Sequence, residues 1–169
     1  TDPFGQRFKD FEAFLSARKK DTPFCFWYGS GAPHRPYFLN SGKTSGLNTE
    51  NLVLPPGLPD HSIVRNDLLD YYATVQVFDL EASTILDLLK KAGELENTLI
   101  VMSGDNGMPF PRAKATLYDT GTRVPLVVRW GKQIKGGRKV IDFVSLCDLA
   151  PTFLEAAGIA PPKAMTGRS

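Results

Sequence analysis

The stretch Asn97-Thr-Leu-Ile-Val-Met-Ser-Gly-Asp-Asn-Gly107 decides the fold. Its first seven residues form a β-branched and aliphatic run long enough for one buried strand, and Gly-Asp-Asn-Gly then breaks the apolar pattern abruptly. In open α/β sheets ligands gather outside the carboxyl ends of the strands, which is where Asp105 and Asn106 are displayed. Downstream, Pro109 and Pro111 loop the chain back over the strand ends and carry Lys114 with it. A second strand is predicted at Val124-Pro-Leu-Val-Val-Arg-Trp130, with Pro125 at its start, where a missing N–H is tolerated. Lys132 to Arg138 reads as a glycine and lysine turn, and Val140 to Phe143 as a short further strand. Leu146 to Ala157 has a helical pattern, with Pro151 expected as its first residue and Gly158 as its stop.

Upstream, Asp60 to Lys91 reads as one long helix, or two in line, with Val64, Leu68, Tyr72, Val75, Ala82, Ile85, Leu86 and Leu89 as the buried stripe and Gly93 as the stop. Asp79 lies close to that stripe, so it is expected to pair with a buried donor or mark a helix junction. Before it, residues 38–60 are a long loop rich in Gly, Ser, Asn and Pro. Gly42-Lys43-Thr44 resembles the end of a P-loop, but that motif needs a glycine where this chain has Tyr37. At the N-terminus Asp2-Pro3 can start a helix, and Phe4, Phe8, Phe11, Phe14 and Leu15 follow at three- and four-residue spacing, a core-packing stripe. Thr22-Pro-Phe-Cys-Phe-Trp-Tyr28 reads as a buried strand. The loop after it, Ala32-Pro-His-Arg-Pro-Tyr37, is stiffened by two prolines and holds His34 at a fixed place, which suits a group that meets a substrate and equally a histidine hydrogen-bonded to its own backbone. Alternating helices and strands with helix-length crossovers predict an α/β layered fold, with a mainly parallel central sheet between helices.

Composition narrows the function. With 169 residues, 42% hydrophobic and 22% charged, the chain can bury a core. A formal charge of +2, with both signs scattered, disfavours nucleic acid and polybasic membrane binding. No run approaches the ~18 apolar residues of a membrane span, and no signal peptide opens the chain. Cys25 and Cys147 sit in apolar segments and read as buried thiols, without the spacing of a zinc site.

Asp105 and Asn106 offer a carboxylate and an amide oxygen, which favours a hard divalent cation such as Ca2+ over zinc. Asp-Asn-Gly is also an ordinary turn sequence, and on the tripeptide alone the turn outranks the metal. His34, Asp105, Asn106 and Lys114 together suit hydrolysis of an anionic ester: metal and lysine grip the anion, and the histidine handles the leaving-group proton. No nucleophile stands out, since Ser30, between Gly29 and Gly31, lacks the Gly-x-Ser-x-Gly elbow.

Taken in order, these residues resemble the sulfatase family, within the alkaline-phosphatase-like superfamily, and most of all its heparan N-sulfatase (N-sulfoglucosamine sulfohydrolase) branch. The likeness rests on Pro23-Phe-Cys-Phe-Trp-Tyr28 followed by Ala32-Pro-His-Arg-Pro-Tyr37, and on Val64-Arg-Asn-Asp-Leu-Leu-Asp-Tyr-Tyr72 with Asp79. It continues through Asn97 to Gly107, Lys114-Ala-Thr-Leu-Tyr-Asp-Thr-Gly-Thr-Arg-Val-Pro125, and Asp148-Leu-Ala-Pro-Thr-Phe-Leu-Glu-Ala-Ala-Gly158. The resemblance implies Asp105 and Asn106 as Ca2+ ligands, and His34 and Lys114 as the groups that contact sulfate and leaving group. It implies a sulfated small molecule or polysaccharide as substrate, such as a glycosaminoglycan, and a periplasmic, secreted or lysosomal setting. The family's nucleophile is a formylglycine made within a Cys/Ser-x-Pro-Ser-Arg motif. That motif does not occur here, nor do the family's N-terminal Asp-Asp metal ligands. Residues 1–169 are therefore expected to be the central and C-terminal part of a sulfatase catalytic domain, without its nucleophile segment and C-terminal subdomain, and inactive alone. Two other readings stay open: a phosphate or phosphonate monoester hydrolase of the same superfamily, and a non-catalytic binding domain with this fold.

Overall fold

The computed structural model describes residues 5–131 and 133–169. The expected helix start at Asp2-Pro3, with Phe4, and Lys132 of the expected turn lie outside the described residues. The chain divides into two compact units: the described residues up to Leu95 with Ser103–Pro125, and Glu96–Met102 with Leu126–Ser169.

In the first unit, α1 spans Phe11–Ala17. It begins later than the phenylalanine spacing predicts, because Asp10 adopts extended backbone and its carboxylate accepts from the Ala13 N–H at 2.8 Å, the N-cap arrangement. The aromatic stripe packs as expected. Phe14 lies 5.3 Å from Phe8, 5.4 Å from Phe24 and 4.7 Å from Phe26 between ring centroids, and Phe11 is buried 5.0 Å from Phe26. Each such pair contributes about 0.5–1.5 kcal/mol beyond its buried area.

The partners Phe24 and Phe26 belong to the segment expected as a buried strand. Its burial alternates, Phe24 and Phe26 inward and Cys25 and Trp27 outward, which is the period of a strand. The segment is nonetheless not a strand, since no ladder partner pairs with it among the described residues. The same alternation corrects the expectation of a buried Cys25: the thiol is exposed on the outer face.

Helix α3, Ser62–Lys91, is a single helix rather than two in line and starts two residues after Asp60. His61 caps its start through Nδ1, which accepts from Ile63 N–H at 3.2 Å. Gly93, at φ +74°, ends it: the Glu94 N–H reaches Leu89 O at 2.9 Å and the Gly93 N–H reaches Lys90 O at 3.1 Å. That pair of bonds needs a left-handed residue at Gly93. Leu68, Leu69, Ala73 and Leu89 are buried. The acid buried on this helix is Asp70, not Asp79, which is exposed. Asp70 accepts from Asn40 N–H at 3.0 Å and Gly42 N–H at 2.8 Å, and so fixes the short helix α2, Ser41–Thr44. Gly42 presses so closely on α3 that a Cβ there would lie 2.5 Å from the Leu69 backbone carbonyl carbon. Packing against α3 thus accounts for the glycine of the P-loop-like Gly42-Lys43-Thr44.

The second unit holds β1, Ile100–Ser103 less its last residue, and β2, Leu126–Arg129, which pair with each other. In place of the wider parallel sheet expected, the described residues form this two-stranded sheet. Val140–Phe143 is not a strand; Ile141 and Phe143 are almost wholly exposed, and an apolar run without a pairing edge gains no ladder. A 3₁₀ turn at Leu146–Asp148, with Ser145 and Asp148 in a reciprocal capping box, leads into an α-helix over Leu149–Ala156. Pro151 is therefore its third residue rather than its first, still within the turn whose N–H groups need no helical acceptor. Cys147 is exposed, again against expectation. Asp148, accepting from the backbone N–H groups of Arg168 and Ser145, has its carboxyl held below the usual range. No described helix is long and apolar enough to cross a membrane.

Candidate active site

The four residues singled out by sequence all belong to the first unit, on two segments. One is the double-proline loop. Ser30 donates to the Glu81 carboxylate of α3 and accepts from the Ala32 N–H at 2.9 Å, so its hydroxyl is engaged in holding the loop and is no partner for His34. The His34 N–H closes a turn on Gly31 O at 3.0 Å, and the peptide bonds before Pro33 and Pro36 are cis. The His34 ring is exposed, with Nδ1 2.6 Å from the carbonyl oxygen of Arg35. A carbonyl only accepts, so Nδ1 is the protonated nitrogen and Nε2 carries the lone pair of the neutral ring.

The second segment runs from Gly104 to α4, Asp119–Thr122. It has little regular structure and is held by close backbone packing. Gly107 is buried, its N–H donating to Gly121 O at 3.2 Å; a Cβ on Gly107 would meet Thr120 O at 2.1 Å. A Cβ on Gly121 would meet Thr116 O at 2.4 Å and Ala113 O at 2.5 Å. Phe110 and Ala113 are buried anchors, and the Lys114 N–H donates to Met108 O at 3.0 Å. Beside these anchors, Asp105, Asn106 and Lys114 are exposed. The Asn106 amide nitrogen donates to Gly107 O at 2.9 Å, leaving its oxygen free as an acceptor.

Arg35 joins the two segments. Its guanidinium makes a two-pronged pair with Asp67 of α3, at 2.9 Å to Oδ1 and 2.5 Å to Oδ2, while Nε donates to Pro109 O at 3.2 Å. The same cation lies 4.6 Å from the Tyr37 ring centroid and 5.0 Å from that of Phe110. Its pKa is raised above the ordinary arginine value, chiefly by the hydrogen bond to Asp67. Tyr37 in turn donates to Pro33 O at 3.1 Å, and burial pushes its pKa up to about 12, so it stays a neutral donor through the physiological range. The loop bearing His34 and the segment bearing Asp105, Asn106 and Lys114 are thus bonded to each other through Arg35.

Sequence reasoning passed over Arg35 and Asp67. The available signal was an arginine set between prolines and an aspartate one position before the buried Leu68.

As a cation site the arrangement is partial. Asp105 and Asn106 supply two hard oxygen donors, which suit calcium, but calcium takes roughly six to eight. Among the described residues no group of three or more His, Cys, Asp or Glu side chains is placed to hold a metal. No formylglycine precursor motif surrounds either free cysteine.

The chain is 30% identical over 170 residues, 99% of its length, to an ulvan-active sulfatase of Formosa agariphila, and spans 28% of that relative. It is 35% identical over 119 residues to the N-sulphoglucosamine sulphohydrolase of Homo sapiens, covering 66% of this chain and 22% of the relative. Among solved structures it resembles BT4656 in complex with its substrate D-glucosamine-2-N,6-O-disulfate, with a TM-score of 0.54 and 32% identity, over 67% of this chain and 24% of that one. The chain thus spans less than a third of each. The sulfatase family model matches residues 6–159, nearly the whole chain, and the chain belongs to the sulfatase family.

Proposed function

We propose that this chain is the part of a longer sulfatase that presents His34 and Lys114 to the sulfate and its leaving group and contributes Asp105 and Asn106 as two calcium ligands. The substrate class proposed is a sulfated carbohydrate bearing sulfate esters or N-sulfate, and the setting periplasmic, secreted or lysosomal. The observation that carries the reading is the bonding of the His34 loop to the segment bearing Asp105, Asn106 and Lys114. Support for the substrate class comes from relatives named for N-sulphoglucosamine and ulvan, and from a structural relative described with a glucosamine disulfate.

Each residue has a distinct part. Bound calcium would polarise the sulfate oxygens. The Lys114 ammonium, exposed on its anchored loop, neutralises negative charge as it develops on the transferring group. His34, with Nδ1 committed to the Arg35 carbonyl, has Nε2 to carry the proton that the leaving oxygen or nitrogen takes up. The nucleophile is assigned to no residue of this chain.

The test is sulfate release from glucosamine bearing N- and 6-O-sulfate by the full-length protein. Replacing His34 or Lys114 by Ala is expected to lower kcat by about 10²–10⁴-fold. Full activity in both variants would remove these residues from the reaction.

A further inference from the structure

We propose that Arg35 is a positioning residue that sets the His34 imidazole against the Lys114-bearing segment, acting through its paired bonds to Asp67 and its bond to Pro109. The proposal rests on the reading of His34 given above and adds to it a residue that does not itself meet the substrate.

Four observations converge on Arg35. Its main-chain oxygen accepts the Nδ1 proton of His34 at 2.6 Å, so the ring's tautomer and tilt depend on where the Arg35 backbone sits. The side chain of the same residue ties that backbone to two other segments. Nitrogen atoms of the guanidinium meet both oxygens of Asp67, at 2.9 and 2.5 Å, on the 30-residue helix α3, the longest rigid element of the unit. The remaining direction of the fork, Nε, is spent on Pro109 O at 3.2 Å, five residues before Lys114. Tyr37 and the buried Phe110 contact the guanidinium at 4.6 and 5.0 Å, one from each segment. One planar cation therefore spans helix, histidine loop and lysine segment at once. A lysine cannot imitate it, because an ammonium lacks the flat, five-donor fork that satisfies a carboxylate in two places and a carbonyl in a third.

A surface ion pair of this exposure, about 39% for each side chain, contributes little to stability by itself. Its value lies in placement, where displacement of a reacting group by about 1 Å costs on the order of 10²-fold in rate.

The experiment is a double-mutant cycle in the full-length protein, combining Arg35→Ala with His34→Ala, with kcat and KM for N,6-O-disulfated glucosamine and the folded fraction followed by circular dichroism. Arg35→Ala alone is expected to lower kcat by about 10–100-fold with KM nearly unchanged. In the His34→Ala background it is expected to cost less than about 3-fold, because its effect passes through the histidine. Asp67→Asn, which keeps the shape and one acceptor, should follow the same pattern more weakly, and Arg35→Lys should fail to restore kcat. Losses that multiply in the double variant would overturn the proposal, as would a wild-type kcat for Arg35→Ala. Wild-type activity in His34→Ala alone would instead strike out the histidine reading. A crippled His34→Ala beside an intact Arg35→Ala would strike out only Arg35.

Discussion

The polar segment Gly104–Thr122 and the apolar segment Val140–Phe143 reverse what their compositions imply. The first has Asp, Asn, Lys, Gly and Pro and almost no regular structure, yet it is fixed by two glycines packed backbone to backbone and by the buried Phe110 and Ala113. The second has Val, Ile and Phe, yet Ile141 is 89% and Phe143 107% exposed. Order in this chain follows close approach and satisfied backbone groups more than hydrophobicity. An apolar side chain gains from burial only where another surface meets it.

The contrast can be broken most sharply at Gly107. Gly107→Ala inserts a Cβ 2.1 Å from Thr120 O, where backbone must move, and the full-length protein is expected to lose about 3 kcal/mol in a denaturant melt. A near-neutral result would show that the segment is loosely held. A smaller loss, about 2 kcal/mol, is expected for Asp70→Ala, which leaves the N–H groups of Asn40 and of the buried Gly42 without their acceptor. Retained stability there would mean that water replaces the carboxylate. The smallest effect belongs to the exposed run: Phe143→Ser is expected to change stability by less than about 0.5 kcal/mol. A loss of several kcal/mol in the full-length protein would show that another part of that protein covers this face.

Where local signals act alone, sequence was a good guide. Helix α3 stops before Gly93 and the N-terminal phenylalanines pack on one another, because periodicity and glycine conformation are properties of neighbouring residues. Prediction failed where the outcome depends on distant partners. Thr22–Tyr28 has the alternation of a strand, but alternation does not supply a ladder. Asp70 and Asp79 lie on the same helix, and only the folded chain reveals that the Asn40 and Gly42 amides wait opposite Asp70. The site followed the same rule. His34, Asp105, Asn106 and Lys114 were visible as residue types in a recognisable order, whereas Arg35, which bonds their two segments, was concealed in a charged side chain of ordinary appearance.

The role proposed for Asp105 is that of a ligand in a calcium-dependent sulfatase site, beyond that of a turn residue. The most direct measurement is sulfate release by the full-length Asp105→Ala variant as calcium is titrated. Wild-type protein is expected to lose turnover on chelation and regain it with calcium, while Asp105→Ala stays inactive at calcium concentrations that saturate the wild type. Wild-type turnover by Asp105→Ala at those concentrations would contradict that role.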